Sequence, residues 1–341
     1  MIFQFRNVAD CVGLMLGHST AIDGHRLRKG HWLTQADIDA VIAAGTPTLF
    51  AGQKEPGDVL ENDAALQIAE TAAGNHVGIE KPHTGRANLI AQCDGVLIYS
   101  RNDLISLNET DPKITLAMVS PFSTVRKNDL VGTVKIIPFA VQRSALESAS
   151  NVLQQSALCS IAPFENRPCA LLETTLEAVK PLSDKILRFT KQRIERVNLH
   201  LTDKAECPHT PQAAANWIER TAKTLSGDGV LLVFGASATV DEADVIPAAI
   251  SLAGGRVERV GMAADPGNLL VFGKLGRSTI IGLPGCAKSP ALNGFDWVLE
   301  RTAAGLDISP RDWAEMSVGG LLKEIEARPQ LRRPTQYDEN P

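Results

Sequence analysis

Residues 280–290 read Ile280-Ile281-Gly282-Leu283-Pro284-Gly285-Cys286-Ala287-Lys288-Ser289-Pro290. The run is one residue away from G-x-x-x-x-G-K-S, the loop that wraps nucleotide phosphates. A phosphate loop needs glycine immediately before the lysine, so that the backbone can curl and aim its N–H groups; here that place is Ala287. Such a loop also opens an ATPase domain, with a later apolar strand ending in a magnesium-binding aspartate. The chain after Ser289 contains no such strand, so the ATPase reading fails. Two readings stay open. One is a plain turn from a buried strand into a helix over 289–303, with Ser289 as N-cap and Pro290 at the first helical position. The other is an anion site, in which two glycines let a ligand approach and the helix N-terminus, Lys288 and the Ser289 hydroxyl hold it.

Working back from this loop, residues from about 141 alternate between helical patterns and buried strands. Helices are expected over 144–155, 183–197, 212–225 and 244–253, and strands over 168–174, 229–234, 257–262, 269–272 and 279–281. This rhythm implies an α/β domain, a three-layer α/β/α arrangement around a mainly parallel sheet, whose ligands bind where strands end and helices begin. Residues 1–140 read differently, as a β-rich α+β domain with strand-like runs at 12–16, 48–50, 95–99, 114–119 and 131–141. Two helices interrupt it, one opened by the capping box Thr34-Gln35-Ala36-Asp37 and closed by Gly45, the other over 62–73. The expected division is therefore 1–140, 141–320 and a polar, proline-bearing tail, 321–341.

A second apparent nucleotide motif, Leu252-Ala253-Gly254-Gly255-Arg256-Val257-Glu258-Arg259-Val260-Gly261, mimics the L-A-G-G-x-S-x-R-x-G loop of nucleotidyltransferases. It follows a helix rather than a first strand, Val257 replaces the serine, and no lysine follows Gly261 closely. Gly254-Gly255 reads as a helix C-cap leading into an edge strand.

Taken in order, four segments carry a family resemblance: Phe234-Gly235-Ala236-Ser237-Ala238-Thr239, Asp244-Val245-Ile246-Pro247, Asp265-Pro266-Gly267-Asn268 and Gly282-Leu283-Pro284-Gly285-Cys286-Ala287-Lys288-Ser289. They resemble the MoaB/Mog molybdopterin-binding domain found in molybdopterin molybdotransferases of the MoeA-like kind. There the pattern runs S/T-G-G-x-S/T…D, then K-P-G-K-P-x-x-x-G, then G-L-P-G-N-P-x-S. The resemblance covers about residues 165–320. It implies a molybdopterin-binding protein of molybdenum-cofactor biosynthesis, with molybdopterin or its molybdenum form as ligand and magnesium as a further cofactor. Residue by residue it implies Gly235, Ala236 and Ser237 as the first loop, Pro266 and Gly267 as the second, and Gly282, Pro284, Gly285, Cys286, Lys288 and Ser289 as the third. Asp241 and Asp244 supply the acids, with the spacing leaving open which of them matches. Departures are Ala236 for the second glycine, Asp265 and Asn268 for two lysines, and Cys286-Ala287 for Asn-Pro. Losing two lysines favours binding over full metal insertion, so the alternative is a carrier or sensor that hands the cofactor to a nucleotidyltransferase or molybdoenzyme. The family also implies a homo-oligomer. Looser likeness to proteins that accompany this domain lies in Gly17-His18-Ser19, Arg26–Gly30, Gly57-Asp58-Val59 and Thr84–Asn88.

Composition sets the frame. With 44% hydrophobic and 21% charged residues the chain packs a globular core, and a net charge of −5 argues against nucleic-acid binding. Six cysteines without a C-x-x-C pair read as reduced, mostly buried thiols, and no apolar run has membrane-spanning length, so a cytoplasmic location is expected. His18, His25 and His31 lack carboxylates or cysteines at ligand spacing and read as loop histidines, as does the isolated Cys207-Pro208-His209. Cys286 lies beside Lys288 at an expected helix N-terminus, where a thiol's pKa falls; two readings stay open, a thiol that contacts molybdenum or reacts with an oxidant, and a buried inert cysteine. Asp184 opens the helix over 183–197 near the expected ligand, where an acid also suits the helix dipole.

Overall fold

The computed structural model describes residues 1–22, 25–153, 157–225 and 228–322. The chain separates into two compact units, one through Ile161 and one from Ala162 on.

In the first unit the alanine-rich helix Glu61–Ala72 buries Ala64, Ala65, Ile68, Ala69 and Ala72. These small side chains join one core with Leu89, Val134 and Ile136 of a four-stranded antiparallel sheet. Its strands lie in the order Ile114–Met118, Leu130–Ile136, Arg86–Ala91, Val77–Ile79. The helix Arg143–Asn151 places Leu146 and Ala149 in the same core, so a segment read as the start of the second region packs in the first unit. Gln154 and Gln155, at the end of that expected helix, lie outside the described residues. The run 131–141 is not one strand. It breaks at 137–139, around Pro138, between Leu130–Ile136 and Ala140–Gln142. A helix at Arg101–Thr110, capped by Ser100, was not foreseen; Leu107 is its only buried residue, so it leaves no apolar periodicity to read.

A second, smaller core gathers Val8, Cys11, Leu16, Leu33, Ile38, Val41 and Leu49. Its helix, Gln35–Ala43, starts at the expected capping box, where Thr34 Oγ1 accepts from the Asp37 backbone N–H and Asp37 accepts from Thr34 N at 2.8 Å. Hydrogen bonds from the Thr34 hydroxyl and backbone, then from His31, lower the Asp37 carboxyl from 3.8 to about 2. A depressed folded-state value means stability that is present above pH about 4 and lost as pH falls toward 2. Thr34→Ala should therefore cost about 1 kcal/mol in urea unfolding at neutral pH. Asp37→Asn should flatten the acid limb between those values; an unchanged limb would remove the cap from the account.

The second unit is built on a six-stranded mixed sheet. Its strands are β1 (Arg167–Thr175), β2 (Leu199–Pro208), β3 (Val230–Phe234), β4 (Arg256–Val260), β5 (Val271–Leu275) and β6 (Ser278–Leu283). They lie in the order β2-β1-β3-β6-β5-β4, parallel from β2 to β6, with β5 antiparallel to both its neighbours. The helices are α1 (Asp184–Arg196), α2 (Pro211–Thr224), α3 (Val245–Leu252), α4 (Gly294–Ala303) and α5 (Pro310–Glu315). On one face Ala170, Leu172, Leu231, Val233, Val271 and Ile280 pack against Trp217 and Ile218 of α2 and Ile246, Ala249 and Ile250 of α3. The central strands are apolar on both faces, as buried parallel strands are. Strand β2 was not expected, because as an edge it exposes most of its polar residues. Gly254, with φ 82°, ends α3 and leads into the edge strand β4, as the glycine pair suggested.

The expected tail begins inside the fold: Leu321 bridges to Asp265 and the Leu322 N–H donates to Asp265 O at 2.8 Å. The rest of 321–341 lies outside the described residues. No described helix is long and apolar enough to cross a membrane.

Candidate functional site

The parallel order of β1, β3 and β6 sets three strand ends side by side, with Glu173, Phe234 and Leu283 in register. Ligands of such sheets bind just beyond the carboxyl ends of their strands. The first loop, Gly235–Ser237, leaves β3 there, and the third, Pro284–Ser289, leaves β6. Gly235, Ala236 and Lys288 line one crevice together with Glu173, Thr174, Lys180 and Leu182.

Thr174 shapes the first loop. Its hydroxyl accepts the Ala236 N–H at 2.9 Å and lies 2.8 Å from His209 Nδ1. That N–H is thus engaged within the protein. Gly235 is required by close approach, since a Cβ there would lie 2.6 Å from the Ser237 carbonyl oxygen. Ser237 itself is exposed.

The third loop does not enter a helix at Ser289. Residues Gly285–Lys288 form one 3-10 turn, Ser289 follows in extended backbone, and α4 begins only at Gly294. The cap is Asn293, whose side chain accepts from Phe295 N at 3.0 Å while Asp296 Oδ2 accepts from Asn293 N at 2.9 Å. This box outcompetes Ser289-Pro290, whose hydroxyl instead accepts from Ala291 N at 3.2 Å. Arg193 of α1 replaces the helix as the loop's support. Its Nε donates to Asp296 Oδ1 at 2.8 Å, Nη1 to Ala287 O at 3.0 Å, and Nη2 to Ser289 O at 2.7 Å and Ala291 O at 2.9 Å. The guanidinium's planar fork suits this multiple recognition. Cys286 is half-buried in the 3-10 turn, and the helix start expected at Ser289, three residues on, is not formed there. Pro284 is buried, and Gly285 faces open space. Gly282 lies within β6, where a Cβ would meet Val271 and Ile246.

The second loop reaches the same end of the sheet, yet Pro266 and Gly267 are buried against α4. Pro266 O accepts the Gly294 N–H at 2.9 Å, across a cis Asp265–Pro266 bond. Asp244 caps α3, with Oδ1 accepting from Val245 N at 2.6 Å and Oδ2 from Val240 N at 3.0 Å. Asp241 Oδ1 accepts from Ala243 N at 2.8 Å. The structure brings neither aspartate, nor Asp184, onto the crevice lining. Among the described residues no group of three or more His, Cys, Asp or Glu is arranged to hold a metal ion.

Glu173 is the residue that sequence reading missed. It is 4% exposed; one oxygen accepts from Leu182 N at 2.6 Å and the other, buried, has no hydrogen-bond partner among the described residues. A charged residue closing the apolar run Cys169–Leu172 at a strand's carboxyl end is the signal that could have found it. Among the described residues Lys180 and Lys288 have no carboxylate within ion-pair reach, so two ammonium groups share the crevice with the unpartnered Glu173 Oε2. The hydrogen bond from Leu182 ties the lining segment 179–182 to Glu173, and the cavity is only ≈ 10 Å³, space for about one water molecule.

No known family model and no curated protein matches this chain. Among solved structures it is similar to a molybdopterin biosynthesis MoeA protein from Pyrococcus horikosii, at 11% identity and a TM-score of 0.31, over 92% of this chain and 76% of that one. It is also similar to NadC from Streptococcus pyogenes, at 11% identity and a TM-score of 0.16, over 55% of this chain and 86% of that one. Both likenesses are distant.

Proposed function

We propose that the second unit binds molybdopterin or its molybdenum form at the carboxyl ends of β1, β3 and β6, and that the chain serves molybdenum-cofactor biosynthesis. The observation that carries this reading is the set of charged groups on one crevice, Glu173 Oε2 with Lys180 and Lys288. A pterin presents amino and ring N–H donors, which suit a carboxylate oxygen, and a phosphate, which suits ammonium groups. The motif loops Gly235–Ser237 and Pro284–Ser289 flank these side chains. Entry of a pterin goes with displacement of residues 179–182 and rupture of the Glu173–Leu182 hydrogen bond.

A carrier that hands the cofactor to a nucleotidyltransferase or molybdoenzyme is favoured over a metal-inserting transferase. The reason is that both oxygens of Asp244 and one of Asp241 accept from backbone N–H groups of their own turns, and neither aspartate lines the crevice. Titration of the purified protein with molybdopterin should give a saturable complex in the micromolar range. Lys288→Ala should weaken it about tenfold, the scale of one charge-assisted contact. Absence of saturable binding sinks the proposal, and molybdate-dependent cofactor formation by the purified protein would replace the carrier with an enzyme.

A further inference from the structure

We infer that the second unit has a separate binding pocket along the β4 edge of its sheet, for a small molecule with an acidic group on a flat aromatic body. The inference does not rest on the molybdopterin reading. A cavity of ≈ 660 Å³ opens between β4, the end of β5 and the segment that leads into α5. That volume lies within the usual range of small-molecule sites.

Its cationic wall is produced by a bulge. In a regular strand residues 256 and 259 would project from opposite faces. The pairing of β4 with β5 slips between Val257 and Arg259, so that Arg256 faces Lys274 and Arg259 faces Phe272. The extra residue puts Arg256 and Arg259 on one face with Lys274, while Val257 keeps to the face packed on α3. Edge-strand bulges commonly re-aim side chains in this way.

The lining carries three cations, Arg256, Arg259 and Lys274, against two carboxylates, Glu258 and Asp307, so one positive charge is in excess. Arg256 is paired with Glu258. Lys274 Nζ donates to the buried Thr279 hydroxyl at 3.0 Å and sits 5.5 Å from the Phe272 ring centroid, with no carboxylate of the described residues within ion-pair reach. Arg259 Nε donates to Gly261 O at 2.8 Å, which leaves the outer edge of its guanidinium to a ligand. The opposite wall is mixed: Ile308, Pro310 and Trp313 are its apolar part, beside Asp307 and Ser309, and Trp313 makes an edge contact with Phe272 at 5.4 Å. Arg259 Cζ lies 6.0 Å from the Trp313 ring, so cation and aromatic surface already adjoin. An anion bridging Lys274 and Arg259 would place its ring between the guanidinium and the Ile308–Pro310 wall.

The probe is 1-naphthyl phosphate, followed by its own fluorescence against the full chain, with 1-naphthol and inorganic phosphate as competitors. Saturable binding is expected, with each competitor at least tenfold weaker than the probe, because each lacks one half of the recognition. Lys274→Gln and Arg259→Gln should each weaken binding about tenfold, while Lys223→Gln, which only breaks a surface pair with Glu219, should leave it unchanged. Circular dichroism and the melting temperature check that the variants stay folded. The inference is overturned by no saturation at millimolar probe, by full affinity in both wall variants, or by binding lost in Lys288→Ala and kept in Lys274→Gln.

Discussion

Arg193→Ala should destabilise the second unit by about 3–5 kcal/mol, the largest single effect expected in the chain, because it strands a buried charge. Arg193 is 7% exposed and its partner Asp296 2%. Arg196 reaches the same carboxylate only at 3.6 Å and is the more exposed of the two arginines, so it offers a weak substitute. The loss is not confined to an ion pair. The carbonyls of Ala287 and Ser289 lose their donor together, Ala291 O keeps only Asn293 Nδ2 at 3.2 Å, and the third loop loses its shape. Arg193→Lys separates the two contributions. An ammonium restores charge beside Asp296 but cannot serve a carboxylate and three carbonyls in one plane. It should recover part of the urea midpoint while molybdopterin binding stays impaired. A variant as stable as the parent chain would show that the guanidinium does not hold the loop.

Gly267→Ala should cost about 3 kcal/mol or more, by adding a strained conformation to an overpacked contact. The residue has φ 134°, and a Cβ built on it lies 2.5 Å from the Gly294 backbone nitrogen. Backbone on backbone has no flexible side chain to yield. The partner is equally constrained, because a Cβ on Gly294 would meet Met262 S at 2.7 Å and Ala264 Cβ at 2.9 Å. The substitution should therefore appear as a lowered unfolding midpoint with or without ligand. If stability is kept while molybdopterin affinity falls, Gly267 is a ligand residue and the packing account is wrong.

These two sites also show what the sequence could reveal. The strand–loop rhythm of the second unit was legible, because buried central strands such as Val230–Phe234 are apolar on both faces and their turns carry glycine and proline. The edge strand β2 and the helix Arg101–Thr110 were not, since both expose polar residues and leave no periodic stripe. At the candidate site, the loops after β3 and β6 were found from their glycines. Their geometry was not, because it is set by residues distant in the chain. Arg193 is 94 residues from the carbonyl of Ala287 that it holds, and Thr174 is 62 from the N–H of Ala236. No local pattern marks an arginine as a loop clamp rather than a solvated helix residue. The start of α4 was misread because Ser289-Pro290 and Asn293-Gly294-Phe295-Asp296 both look like helix beginnings. The second has the reciprocal box and the link to Arg193, and it prevails.

The strand order has a consequence for the nascent chain. Strand β3 pairs with β1 on one side and with β6 on the other, joining Val230 to Thr279. Until residues 278–283 leave the ribosome, the sheet ends at β3, whose sequence Val-Leu-Leu-Val-Phe then forms an open apolar edge. Such edges recruit other chains. A polypeptide truncated before Ser278 should therefore aggregate rather than fold into a smaller sheet, and synthesis itself must carry this unit past a vulnerable interval.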